Sequence, residues 1–163
     1  MKSFPPSKTR LCSPRIFSDM AGPCYLLDTN ILSAVVKQPA GPLARRIAIM
    51  NREDYCTSLV VACELRYGVL KKGSPNLAAK VDQLLMRVDV LPLEGSVDLH
   101  YAEVRVALEK MGQPIGHNDL LIAAHARALG LTLVTDNARE FSRVPGLRVE
   151  NWLAESSGTG PTL

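Results

Sequence analysis

The chain has 163 residues, 47% hydrophobic and 21% charged, enough for one globular domain with a sizeable core. No apolar run approaches the roughly 18 residues that span a bilayer, so a membrane-spanning helix is excluded and a soluble, cytoplasmic protein is expected. The formal charge of +3 comes entirely from the first segment, where Lys2, Lys8, Arg10 and Arg15 outnumber Asp19, and residues 20–163 are neutral. Net charge alone therefore gives no nucleic-acid interface; that depends on how the charges are distributed. Four cysteines, Cys12, Cys24, Cys56 and Cys63, form no C-x-x-C pair and have no histidine at finger spacing, which points to free thiols in a reducing compartment, not to zinc. His100, His117 and His125 are scattered and read as packing or surface residues.

In chain order, residues 1–19 are proline-rich and aperiodic before an internal Met20, and are expected to be a disordered extension or sequence upstream of the true start. A short buried strand at 24–27 follows, ending on Asp28, with a helix from Asn30 to about Lys37. Pro42 suits the first turn of a second helix, and residues 55–57 form a second strand. Ser58 opens a helix whose apolar stripe is Leu59, Ala62, Cys63, Leu65, Val69 and Leu70; Glu64 interrupts that face. A carboxylate there is expensive to bury unpaired and should have a cation for a partner. Helices are expected at 77–87 and 97–111, with a third strand at 88–93 between them.

Asn118 or Asp119 opens the helix that Gly130 closes, and residues 131–135 form a fourth apolar strand ending on Asp136. A short helical turn at 138–141, an edge strand at 147–149 and a loose tail over 156–163 complete the chain. Strands alternating with helices give an α/β fold around a parallel sheet of four to five strands, within one domain spanning 20–155.

Asp28 and Asp136 follow strand ends, while Glu64 and Asp119 lie on helices that follow a strand or a loop. Asp28 and Asn30 could merely cap the helix beginning beside them. In a parallel sheet, however, these strand ends open on one edge, where the four acids would meet. Four carboxylates need a counter-charge, for which Mg²⁺ or Mn²⁺ is the natural choice, and such a site suits phosphodiester hydrolysis. Convergence would also leave the remaining surface with excess positive charge to hold phosphates.

At this point a resemblance appears. The stretches Leu26-Leu27-Asp28-Thr29-Asn30-Ile31-Leu32, Glu64-Leu65 with Tyr67-Gly68-Val69, Asn118-Asp119-Leu120 through Ala126, and Leu133-Val134-Thr135-Asp136-Asn137 with Glu140-Phe141 stand in order. With the closing Val144-Pro145-Gly146-Leu147 and Glu150-Asn151-Trp152, they resemble the PIN-domain ribonucleases, and more closely the VapC toxins of type II toxin–antitoxin systems. The resemblance implies an α/β/α sandwich, Mg²⁺-dependent endonuclease activity on RNA (tRNA or rRNA loops) and inhibition by a VapB-type antitoxin. It also implies a homodimer. Asp28, Glu64 and Asp119 match the family acids, Asp136 a more variable fourth, and Asn30 and Thr135 polar residues that orient the cluster. Alternatives are a housekeeping PIN nuclease and a non-catalytic RNA- or partner-binding module. A phosphatase using Asp28 as nucleophile is disfavoured, because it wants an acid where Asn30 stands.

Overall fold

A computed structural model of the chain describes residues 22–156. The expectation for 1–19, and that for the tail beyond Ser156, lie outside the described residues. Five short strands carry the fold: β1 (Tyr25–Leu27), β2 (Tyr55–Ser58), β3 (Asp89–Leu91), β4 (Thr132–Val134) and β5 (Arg148–Glu150). All pair in parallel, in the order β3-β2-β1-β4-β5. Neighbouring residues of a strand point to opposite faces, yet Leu26 and Leu27 are both fully buried, so helices cover the central strand on each side. This is the three-layered α/β/α architecture expected of the pattern.

The helices are α1 (Thr29–Lys37), α2 (Pro42–Ala48), α3 (Leu59–Lys72), α4 (Pro75–Leu85), α5 (Val97–Lys110), α6 (His117–Leu129), α7 (Ala138–Phe141) and α8 (Trp152–Ser156). Their ends follow local chemistry: Ser58 and Ser74 cap α3 and α4 by accepting from Val60 N–H and Leu77 N–H, and Pro75 fills the first turn of α4. Gly73 and Gly130 close α3 and α6 in the left-handed region, with φ of 60° and 67°.

Three details differ from expectation. α6 starts at His117 with Gly116 as its cap, which puts Asp119 inside the first turn. The stripe on α3 divides into two rows: Val61, Ala62 and Leu65 enter the core, whereas Cys63 is exposed and Leu70 is 81% exposed. α8 was not anticipated. Its Trp152 is 1% exposed, packs edge-on against Tyr25 at 5.0 Å, carries Arg46 over its ring at 4.2 Å and donates its indole N–H to Glu150 Oε2.

The chain runs from β1 outward through β2 to β3, then returns to lay β4 on the opposite side of β1. The strand order reverses between β1 and β4, and a crevice forms beyond their carboxyl ends.

Candidate active site

Asp28 is the first residue after β1. Its Oδ1 accepts from Thr29 N–H at 2.7 Å, so it does cap α1, but capping uses only one of its oxygens. Oδ2 accepts from the Thr135 hydroxyl at 2.7 Å. Asn30 is no cap: it lies in the first turn of α1, donates to Thr135 Oγ1 at 3.1 Å and accepts from Asp136 N–H at 3.0 Å. Thr135 and Asn30 thus lock the end of β4 to the end of β1.

Glu64 projects from the second turn of α3. Its Oε2 accepts from the Thr29 hydroxyl and its Oε1 from Asn118 Nδ2 at 2.9 Å. The partner it was expected to need is present as hydrogen-bond donors, not as a side-chain cation. Asp119 sits at the start of α6, where the helix dipole favours negative charge. Gly116 makes room for it, since a Cβ there would stand 3.2 Å from Asp119 Oδ2. Asp136 is the outlier. It is solvent-exposed, and its Oδ1 accepts from Asn151 Nδ2 at 3.1 Å.

All four acids line one cleft of about 560 Å³, together with Thr29, Asn30, Lys37 and Asn137. The electrostatics report their proximity. Asp119 is pushed from 3.8 to about 6, first by burial and then by Asp28, Glu64 and Glu140. Asp28 is also raised, chiefly by burial; its bonds from Thr135 and Thr29 pull the other way, and Glu64 adds to the rise. Glu140, held by Asn137 Nδ2 at 2.9 Å, is therefore a fifth acid acting on the site.

A hard divalent cation fits this donor set: the side chains offer carboxylate oxygens, and their mutual repulsion calls for positive charge. Among the described residues no three such side chains already form a cage.

Sequence reasoning named the acids and two of their supports, Asn30 and Thr135, but missed three others. Thr29, Asn118 and Asn151 carried no assigned role, although each stands in a stretch that carried the resemblance. The signal that could have found them is adjacency: Thr29 and Asn118 flank Asp28 and Asp119 directly. His100, His117 and His125 stay out of the cleft lining, and Cys24, Cys56 and Cys63 are free thiols.

The PIN-domain family matches residues 25–147. The chain is 39% identical over 130 residues to the tRNA(fMet)-specific endonuclease VapC of Shigella flexneri, covering 78% of this chain and 97% of that one. Ribonuclease VapC2 of Haemophilus influenzae is 40% identical over 131 residues, covering 79% and 98%. Among solved structures, VapBC2 of Rickettsia felis bound to a promoter DNA fragment superposes with a TM-score of 0.74 at 37% identity, covering 78% of this chain and 98% of that one. With most of its length matched on these terms and its acids gathered where the sheet reverses direction, the chain belongs to the PIN-domain family, in its VapC ribonuclease branch.

Proposed function

We propose that the chain is the toxin of a type II toxin–antitoxin system, a Mg²⁺-dependent endoribonuclease acting in the cytoplasm on exposed loops of tRNA or rRNA. The observation that carries this reading is the convergence of Asp28, Glu64 and Asp119 on one cleft, where burial first and the neighbouring carboxylates second raise the Asp119 carboxyl to about 6. VapC nucleases of the PIN family are generally divalent-metal dependent. Asp28, Glu64 and Asp119 would hold the ion here, with Asp136 at the exposed rim.

Such an ion, when bound, supplies Lewis-acid polarisation of the scissile phosphate. The chain's own residues set the rest. Thr135 and Thr29 orient the Asp28 and Glu64 carboxylates, and Asn118 keeps Glu64 facing Asp119. Lys37 alone is basic among the described residues lining the cleft, and suits a phosphate of the approaching strand.

The partner follows from the same imbalance. A VapB-type antitoxin would place an Arg or Lys among the acids, opposing the metal. An apolar trough of about 270 Å³, lined by Val36, Leu65, Val69, Leu77 and Val81, adjoins the cleft and suits an amphipathic segment of that partner. The neighbouring Ile31 and Leu32 are core and Leu70 faces solvent, so none of the three lines the trough. The exposed row of Leu59, Tyr67 and Leu70 on α3 suits the homodimer.

The test is cleavage of purified RNA across a Mg²⁺ titration, repeated with Asp28→Ala and with the small protein encoded beside this one. Cleavage lost in Asp28→Ala, suppressed by the partner and partly restored by added Mg²⁺ is the expected result. Metal-independent cleavage would sink the catalytic reading. A folded chain that is harmless when overproduced alone would move the assignment to a housekeeping nuclease.

A further inference from the structure

Away from the acidic cleft, one polar contact is sealed inside the core. His125 Nδ1 lies 3.0 Å from Ser58 Oγ; the residues are 1% and 0% exposed, and 67 positions separate them in the chain. Neither lines the cleft.

Ser58 ends β2 and caps α3, its Oγ accepting from Val60 N–H at 3.2 Å. The hydroxyl keeps its proton and a second lone pair for His125, so Nδ1 accepts when the neutral ring carries its proton on Nε2 and donates when the proton is on Nδ1 itself; either way the two side chains bond directly. Burial favours that neutral ring, lowering the His125 pKa. Two polar groups are thus withdrawn from water in a stretch otherwise rich in Ala and Leu. An apolar pair of the same volume would avoid that desolvation, but would give no direction.

Direction is what this location needs. Glu64 lies six residues beyond the cap Ser58 along α3, and Asp119 six residues before His125 on α6, nearly two turns in each case. α6 packs far more extensively on α5 than on α3, so the two site-bearing helices meet each other over only a short stretch. Polar ties join them at two levels: Ser58–His125 in the core, and Asn118 Nδ2 to Glu64 Oε1 at the rim.

We propose that Ser58 and His125 are positioning residues that set the separation of Glu64 and Asp119 by fastening the start of α3 to the middle of α6. The inference rests on the divalent-cation reading of the cleft and extends it to residues that touch neither ion nor RNA.

The experiment compares the full chain with His125→Phe, which keeps an aromatic ring but loses the nitrogen, and His125→Asn, which keeps an acceptor and a donor close to the Cβ. Ser58→Ala and Ser58→Thr form the reciprocal pair. Calorimetric Mg²⁺ and Mn²⁺ affinity, kcat and KM for RNA cleavage, and metal-free melting temperature are read for each. His125→Phe is expected to remain folded, weaken metal binding about tenfold and lower kcat by a similar factor, with KM nearly unchanged. His125→Asn should recover most of the metal affinity even where it melts lower. Adding Ser58→Ala to His125→Phe should lower metal affinity little further, because the tie is already broken, while the melting temperature falls again with the loss of the α3 cap.

Wild-type metal affinity and kcat in His125→Phe, with only the melting temperature reduced, would overturn the proposal. Should His125→Phe not fold, the serine pair decides: Thr retaining metal affinity that Ala loses supports the tie, and equal affinities overturn it. A wild-type chain that binds no divalent cation overturns the underlying reading as well, whereas normal wild-type binding with indifferent variants overturns this inference alone.

Discussion

The Thr135 hydroxyl donates to Asp28 Oδ2 at 2.7 Å, joining residues 107 positions apart at a point closed to solvent. The same oxygen accepts from Asn30 Nδ2 at 3.1 Å and from Asn137 N–H at 3.0 Å. One side chain thereby connects β1, α1 and the segment leading into α7. Thr135→Val keeps the shape and removes all three bonds, leaving a buried carboxylate oxygen without a donor. The expected loss is about 1–3 kcal/mol, measured by denaturant unfolding, with Thr135→Ser close to wild type. Equal stability of Val and Ser at this position would show that the hydroxyl is not needed.

Asp28→Asn, Glu64→Gln and Asp119→Asn should each reduce Mg²⁺-dependent cleavage more than about 100-fold while the fold survives. Metal-free melting temperatures should stay level or rise, because a like charge has been removed from a crowd. Asp136→Asn should cost less, about tenfold, since the side chain is exposed and Asn151 bonds to it at the rim. Full activity in any of the first three would remove that residue from the ligand set.

The Asp119 shift gives the metal-free protein an unusual acid profile. Its carboxyl titrates near 6 when folded and near 3.8 when unfolded, so the folded state holds more protons between those values. Stability contributed by this group is therefore greatest below about pH 4 and declines as pH rises through 6. Metal binding needs the deprotonated form and has the opposite slope. Unfolding midpoints of the metal-free chain at pH 5 and 7, against Asp119→Asn, test this. The wild type should lose stability relative to the variant at the higher pH.

Trp152→Ala should destabilise the chain by about 3–5 kcal/mol in thermal or chemical unfolding. Its ring is 1% exposed and packs on Tyr25 of the central strand, so the cost reaches β1 and, through it, Asp28. A loss below about 1 kcal/mol would mean that α8 is peripheral.

What was legible in the sequence, and what was not, divides on physical lines. The apolar runs at Leu26-Leu27 and Leu133-Val134 are legible because a parallel strand covered on both faces must be continuously apolar, and the acids after them follow from the topology. The α3 helix was misjudged because it carries two apolar rows, and periodicity does not say which one faces the sheet. Val61 and Leu65 enter the core while Leu59 and Leu70 do not. The supports of Glu64 were invisible for a different reason. Adjacency to Asp28 and Asp119 marks Thr29 and Asn118 as near the site, but they reach Glu64 across 35 and 54 positions, and no local pattern encodes which partner they bond.

The place of β1 in the sheet bears on how the chain emerges from a ribosome. Among the described residues the first strand made is the central one, and β4, its neighbour on the cleft side, begins 105 residues after β1 ends, at Thr132–Val134. Trp152, which packs on Tyr25 of that first strand, comes later still. A nascent chain can therefore display Asp28, Glu64 and Asp119 and yet have no pocket for them to share. A cleft with this strand order is complete only once Thr132–Val134 has joined the central strand, more than 100 residues after that strand is made.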